Sequence, residues 1–367
     1  MISFVIFGLI LITFILFSHA FVVYVISEIY NKRDKIIPKI LYLTLLKYIG
    51  IYIVVFVFFW LFSSFLYKLI YIIGFTYLGH FINVFMFCCI YKIIIKYTQL
   101  SPFYSKILVF LIPLIITIYS LIKAQIIVIQ EETLIYPGYN NSIKIMHLSD
   151  MHLGSIYQKG SVEEIVELIN EKIPDVVVIT GDLSDGSKKV ESEWLEPFNK
   201  IPEFIPVLYV TGNHEALYGK SDILNEINKV KKIRHIGDSD EVVNIKGVSF
   251  IGFDYEYRDV KNKATLILNK FGIKDSKMPV VLLYHVPKIL LKTLNEIGVF
   301  LMMAGHTHGG QFFPFTFLAW LGNKYFNGLY NYKKSNYVFV SSGIGTALVP
   351  MRNFSLKMIG LITIKGN

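Results

Sequence analysis

Cysteine is almost missing from this chain. Among 367 residues only Cys88 and Cys89 carry a thiol, and they are adjacent within an apolar run. Neighbouring cysteines rarely bridge and no second pair exists, so a disulfide framework and a zinc-finger spacing are both excluded. Small packing residues of a membrane helix is the reading left for them. A nucleic-acid-binding motif is missing too, although the net charge of +9 would otherwise direct attention to such a partner. Many of the basic residues stand between apolar spans, where they set topology. No nucleic-acid partner is expected. The first apolar stretch has neither a basic n-region nor a small-residue cleavage site, so it reads as a span and not as a removed signal peptide.

What the sequence has in excess is apolar length. Hydrophobic residues make up 54% of it and its mean hydropathy is +0.52, too apolar for one soluble domain. The excess lies almost wholly before residue 130. Four spans are predicted, 2–30, 40–67, 70–95 and 106–128, each near or above the ~20 residues that cross a bilayer as a helix. Tyr67 and Lys68 are the expected turn of a hairpin between the second and third; one long buried element is the rival. Lys32, Arg33, Lys35 and Lys39 fill the first connection, and Lys92, Lys96 and Lys106 the third. Basic loops stay inside, so both ends of the four-helix unit, and the remainder of the chain, are expected outside. That describes a multi-pass protein of a bacterial cytoplasmic membrane with an extracytoplasmic catalytic domain. His19 and His80 have no acidic partner in the spans and read as packing or interfacial residues. A transporter or channel needs polar groups in its helices; these helices look like an anchor.

The second part alternates strand and helix. Gln125–Tyr136 is strand-like and ends in a Pro137-Gly138 turn. Strands are predicted at Ile143–Leu148, Val176–Thr180, Pro206–Thr211, 241–245, 248–252, Val280–Tyr284, Val299–Met303, 337–341 and 357–365. A helix over Ser161–Lys172 would take Ser161 as N-cap, with Glu164 completing a capping box; another lies near Ser221–Lys232. This gives α/β layers around two sheets. The expected division is an anchor over 1–128, a connecting strand and turn over 129–142, and a catalytic domain over 143–367.

Ligand-type residues follow five of these strands: Asp150 and His152, Asp182, Asn213 and His214, His285, and His306 and His308. In an extended segment residues two apart point to one side, so Asp150 and His152 arrive together. Alone, that stretch is equally an ordinary strand ending in a polar loop. Five of the nine histidines fall in these turns, which argues against chance placement. Carboxylate, imidazole and amide oxygen suit Mn, Fe, Zn or Mg, and these candidate ligands are too many for one tetrahedral zinc but enough for two ions.

Asp-X-His, Gly-Asp, Gly-Asn-His-Glu, His and Gly-His-X-His, in this order over 143–367, resemble the signature of the calcineurin-like metallophosphoesterases. The fuller blocks His306-Thr307-His308-Gly309-Gly310-Gln311 and Ser342-Gly343-Ile344-Gly345-Thr346 look like its branch with N-terminal transmembrane helices. The resemblance implies a four-layer α/β/β/α sandwich with two mixed sheets and two divalent cations, manganese foremost, at the strand ends. Asp150, His152 and His308 would hold the first cation, Asp182 would bridge, and Asn213, His285 and His306 would hold the second. His214 would be catalytic, protonating the leaving oxygen or stabilising the transition state. Glu215 either orients His214 or is a helix-start carboxylate. Arg352 is expected to meet substrate phosphate or to form a structural salt bridge. The implied reaction is hydrolysis of a phosphodiester, pyrophosphate or phosphomonoester, with a cell-envelope or lipid-linked substrate; the alternative is a non-catalytic metal-binding receptor or scaffold. His147 is read as core or surface, and His235, Asp185 and Asp254 receive no role. Phe312–Trp320 is too apolar for an ordinary loop: it packs as core, or it dips into the membrane as a wedge.

Overall fold

Apolar, helix-forming residues dominate the first third, and long helices result among its described residues. The computed structural model describes residues 2–30, 64–273, 278–332 and 335–367. The chain divides into two compact units, Met1–Ile122 with Leu348–Met351, and Lys123–Ala347 with Arg352–Asn367. In the first unit, helices run over Ile2–Ile29, Ser64–Tyr97 and Pro102–Lys123, where Pro102 occupies the first turn and a π-helical turn spans Ile107–Leu111. Lys68–Tyr97 and Pro102–Lys123 are long and apolar enough to cross a membrane. Most of the predicted 40–67 span lies outside the described residues.

The helix is already running at Ser64, so Tyr67–Lys68 is not the expected turn. Neither residue breaks a helix, and a lysine's stem can lie along apolar surface while its charge reaches water. Cys88 packs with Val22, Val25, Val84 and Tyr91, as small apolar residues do. His80 Nδ1 lies 2.9 Å from Thr117 Oγ1, and His19 stacks on Phe81. An interhelical ion pair joins Lys92 to Glu28 at 2.9 Å.

The second unit is built on two mixed six-stranded sheets. One contains β1 (Ile127–Ile135), β2 (Ser142–Leu148), β3 (Val176–Thr180), β4 (Val207–Val210), β5 (Ile233–His235) and β12 (Lys357–Lys365), in the order β1-β12-β2-β3-β4-β5. The other contains β6 (Val243–Ile245), β7 (Val248–Phe253), β8 (Val280–Tyr284), β9 (Leu301–Ala304), β10 (Gly328–Tyr332) and β11 (Asn336–Val340), in the order β10-β11-β9-β8-β7-β6. β2 to β5 are parallel neighbours and β12 runs antiparallel to β2. In the second sheet β7, β8, β9 and β11 are parallel, with antiparallel β6 and β10 at the edges.

Alternation along β2 sets the layers. Ile143 and Ile145 enter the core between the sheets, while Met146 and Leu148 face the helices outside. Fully burying such side chains contributes about 1.5–3 kcal/mol each. A third core lies under β7, β8 and β9, against helices Val260–Lys270 and Leu291–Ile297. His147, on the inter-sheet face of β2, is wholly buried and lies 2.7 Å from Thr180 Oγ1 through Nε2. It is a core histidine.

The predicted strands from β2 onward are present, with ends shifted by a residue or two. β5 and β10 were not expected, and β5 takes His235 out of the loop assigned to it. The first helix begins at Lys159 with Gln158 as N-cap, so Ser161 does not form the expected capping box. It ends at Ile173, which is left-handed at φ 45° immediately before Pro174.

Candidate metal centre

The parallel strands deliver their following loops to one edge of each sheet, where backbone hydrogen bonds continue the register past the strands. Asp150 N donates to Gly181 O, His152 N to Asp182 O and Leu153 N to Leu183 O, at 3.1, 3.0 and 2.8 Å. Gly305 N donates to His285 O at 3.0 Å, and Gly345 N to Asp150 O at 2.7 Å. Loops from both sheets are thereby stitched around one point.

The ligand-type residues hold unusual backbone geometry there. Asp150, His152, Asp182, His306 and His308 have φ between 50° and 73°, and they are half of the ten described non-glycine residues with positive φ. Each such residue costs roughly 1–2 kcal/mol, so the surroundings over-determine these turns, as they do at functional sites. Gly181 is both left-handed, at φ 86°, and close-packed: a Cβ would come within 2.7 Å of Gly212 Cα and His285 Nδ1. At Gly305 it would lie 2.2 Å from Asp150 Oδ2.

Two sets of donors converge. His152 Nε2 and His308 Nε2 are 3.0 Å apart, and His308 Nε2 is 3.4 Å from Asp150 Oδ1. On the other side His306 Nδ1 lies 2.7 Å from Asn213 Oδ1 and 3.3 Å from His285 Nε2, which is itself 3.0 Å from Asn213 Oδ1. Asp182 stands between them. Its Oδ2 is 3.3 Å from His285 Nε2, 3.9 Å from His214 Nε2 and 4.0 Å from His152 Nε2.

The residues fit divalent cations on three counts. Asp150–His152–His308, His152–Asp182–His214 and Asp150–Asp182–His285 each offer ligand atoms within 4.8 Å of one another. Buried His152 and His308 set two ring nitrogens against each other, Nε2 to Nε2 at 3.0 Å, an approach that a cation between them would satisfy. His285 Nδ1 lies 2.7 Å from the Thr180 carbonyl; donating there fixes the tautomer and aims Nε2 inward, as for a metal-ligating histidine.

The electrostatics agree. Burial pushes His152 down to about 3, His306 down to about 4 with His285 adding to it, and His308 well below its ordinary value. Those rings are neutral, the form that binds metal. Burial also lowers His285, but the Asp182 carboxylate outweighs it and carries the ring up to about 10. Asp150 is raised to about 6 by burial, whereas the imidazoles around Asp182 overcome its burial and hold it below the usual carboxylate range.

His214 differs from the buried rings. Its side chain is 23% exposed, its Nδ1 lies 3.0 Å from the Asp185 carbonyl, and its Nε2 faces Asp182. It borders an open depression lined also by Ser184, Gly186, Lys188 and Lys189. Asp185, unassigned from sequence, supports this ring through its backbone and accepts from Ser187 N and Oγ through its carboxylate.

Glu215 takes one of its two expected readings, and Arg352 takes neither. Glu215 accepts from Gly212 N, three residues back, as a helix-start carboxylate does, and also from Asp182 N and Ser184 N. Burial and the neighbouring Asp182 raise it to about 7, against those backbone donors. Arg352 is fully buried, not set toward substrate phosphate, and its hydrogen bonds are not those of a salt bridge. Its guanidinium donates to the carbonyls of Ser342, Gly345 and Leu356 at 2.8, 2.6 and 2.9 Å and lies 3.4 Å behind His308 Nδ1. Burial draws it down to about 10, still cationic at neutral pH. A further acidic group, His235–Asp238–Asp254, lies apart and already holds the Lys220 ammonium, 2.7 Å from Asp254 and 2.9 Å from Asp238.

Comparison with known proteins bears on this geometry. The calcineurin-like phosphoesterase family matches residues 143–310. A Helicobacter pylori (strain ATCC 700392 / 26695) protein described as an uncharacterized metallophosphoesterase is 36% identical over 224 residues, 60% of this chain and 60% of its own length. An Aquifex aeolicus (strain VF5) protein of the same description is 30% identical over 230 residues, 61% of this chain and 85% of its own. A Danio rerio transmembrane protein with metallophosphoesterase domain is 28% identical over 280 residues, 72% of this chain and 63% of its own. This chain thus spans less than two thirds of the length of the Helicobacter relative. Its residues 143–310 lie in the half that carries the convergent donors, and the chain belongs to the calcineurin-like metallophosphoesterase family.

Proposed function

We propose that this chain is a membrane-anchored phosphohydrolase that uses two divalent cations to cleave a phosphodiester, pyrophosphate or phosphomonoester, with a lipid-linked or cell-envelope substrate. One observation carries the reading: Asp182 Oδ2 faces imidazoles of both donor sets. Asp150, His152 and His308 would hold one cation, Asn213, His285 and His306 the other, and Asp182 both. When bound, two such ions supply an acidified nucleophilic water and neutralise charge developing on the phosphate. Manganese suits the donors, as do iron, zinc and magnesium.

The chain's own residues do the rest. The Asp185 carbonyl accepts from His214 Nδ1–H, which keeps the ring's other nitrogen toward Asp182 and the open side. A proton on that nitrogen can pass to the leaving oxygen or stabilise charge on it, a contribution of about 10²–10⁴-fold. Lys188 and Lys189 favour an anionic substrate in the depression. Apolar helices of membrane length in this chain and the relative named a transmembrane protein support anchoring. The basic loops of the sequence support an extracytoplasmic active site in a bacterial cytoplasmic membrane.

The test uses the full chain in detergent, stripped of metal and reloaded with Mn, Fe, Zn or Mg in turn. Bis(p-nitrophenyl) phosphate and p-nitrophenyl phosphate are the substrates. Metal-restored turnover is expected, with Asp182→Asn losing bound metal and His214→Ala keeping it but losing about 10²–10⁴ in kcat. Stoichiometric metal without turnover of either soluble ester, or of phosphatidic acid in vesicles, would replace this reading by the receptor or scaffold.

A further inference from the structure

The turn carrying His308 continues directly into a helix that buries none of its side chains. Phe315–Gly322 reads Phe-Thr-Phe-Leu-Ala-Trp-Leu-Gly, and Phe315, Phe317, Leu318, Trp320 and Leu321 are 45–62% exposed. Of the predicted stretch only Phe312 is core, at 3% exposure. Core packing therefore does not account for it. Phe354, 70% exposed and 6.2 Å from the Phe313 ring, extends the patch.

The helix is firmly mounted. A Cβ on Gly310 would come within 2.2 Å of Thr316 Cα, so helix and ligand turn touch backbone to backbone. Thr316 Oγ1 donates to Gly310 O at 3.3 Å and Phe313 N to Asn353 Oδ1 at 3.0 Å. Polar bonds thus hold the base of the element while its apolar side is left uncovered. Contiguous exposed apolar surface of this kind marks an interaction site.

We propose that Phe315–Gly322 docks into the lipid bilayer and holds the adjoining metal centre at headgroup level, so that the phosphate ester it receives is carried by a lipid. This rests on the phosphohydrolase reading and names its substrate class. Two features favour lipid over other occupants. Residues 312–322 contain no ionisable side chain and are dominated by Phe, Leu and Trp, with Lys324 next along; apolar insertion flanked by aromatic and basic residues is the composition of the membrane interface. A helix apolar enough to span a membrane ends at Lys123 and β1 begins at Ile127, so three residues tether the α/β unit, about 10 Å fully extended. A bilayer is then the apolar phase always within reach.

The full chain is reconstituted in phosphatidylethanolamine–phosphatidylglycerol vesicles whose acyl chains carry bromine close to the headgroup. Trp60→Phe with Trp194→Phe leaves Trp320 as the only indole; should that variant not fold, Trp320→Phe in the natural chain gives the same contribution by difference. Trp320 emission is expected to fall about twofold or more against unbrominated vesicles, and unchanged emission overturns the proposal. In parallel, Phe317→Ser/Leu318→Ser/Leu321→Ser is assayed on phosphatidic acid in vesicles and on p-nitrophenyl phosphate in detergent. Loss of about tenfold or more in kcat/KM on the lipid and less than about twofold on the soluble ester is expected. Equal losses, or a change in oligomeric state with Trp320 unquenched, overturn it in favour of a second copy or another segment of this chain. Failure of the natural chain to cleave either ester with any metal would instead sink the phosphohydrolase reading, and quenching would still decide the docking.

Discussion

Glu215 ties two ligand loops together with one carboxylate: Oε2 accepts from Asp182 N and Gly212 N, and Oε1 from Ser184 N. It is 1% exposed, so water cannot replace those bonds. In Glu215→Gln one oxygen keeps its donors, but the amide nitrogen confronts a third N–H that has nothing to accept it. Groups that orient metal ligands typically account for about 10–100-fold in metal affinity, and that loss is expected here with the fold retained. Glu215→Ala should add destabilisation of about 2–4 kcal/mol from three stranded donors. Titration calorimetry with Mn checks the first and thermal unfolding the second; unchanged affinity in the glutamine variant would reduce Glu215 to a helix-start carboxylate. The convergence of the candidate ligands was legible in the sequence because only a few side-chain types suit such cations, and here they follow the strand ends. Glu215 was legible only as one of two readings and Arg352 not at all, because both grip backbone atoms that every sequence offers. Arg352 illustrates the cost: an arginine near a phosphate site invites a phosphate, yet this one satisfies carbonyls of the Ser342–Gly345 turn behind His308.

At the scale of the element, the position of Asn213 and His214 depends on where β4 ends. Asp254, just past β7, reaches across from the second sheet and accepts from Thr211 N at 2.7 Å. His235 Nε2 at 2.9 Å and Lys220 Nζ at 2.7 Å hold the same carboxylate. Burial would raise its pKa, but the His235 and Lys220 contacts overcome that and hold it below the usual range. A depressed folded-state value means that the stabilisation is complete above the unfolded value of about 4 and is lost as pH falls below it. Asp254→Asn should therefore cost on the order of 2–4 kcal/mol at neutral pH, with a shallower decline of stability in acid than the natural chain. Its kcat should fall as the Thr211–His214 turn loosens. Thermal unfolding from pH 7 to 3 checks this, and parallel acid profiles would refute it. Elements were legible in proportion to their burial. The continuous apolar runs of β3 and β8 were found to the residue, since only a strand buried on both faces suits them. The three-residue β5 and the Tyr-rich edge strand β10 were missed, being specified by their neighbours in the sheet more than by their own pattern.

Over the whole molecule, the donors are divided between two sheets. Asp150, His152, Asp182 and Asn213 follow β2, β3 and β4, whereas His285, His306 and His308 follow β8 and β9. An apolar core lies between the sheets, and a few polar bonds, His285 Nδ1 to the Thr180 carbonyl and Thr211 N to Asp254 among them, fix their alignment at the loop edge. Cations held by both donor sets would join the layers at the edge where the loops meet. Binding to the folded state alone stabilises by about 2.7 kcal/mol at a hundred times the dissociation constant. For an α/β unit of this size each kcal/mol moves Tm by about 2–4 °C, so chelation should lower its transition by about 5–10 °C. The helices Ser64–Tyr97 and Pro102–Lys123 belong to the other compact unit and should keep their stability. Hydrogen exchange on the full chain in detergent, with and without EDTA, separates the two responses. Protection at the C-terminal ends of β2, β3, β8 and β9 should fall together, protection in those helices should not change, and Asp182→Asn should show neither the loss nor the Tm shift. If only one sheet responds, the two donor sets do not form a single centre. If Asp182→Asn keeps the full metal-dependent shift, Asp182 does not join them.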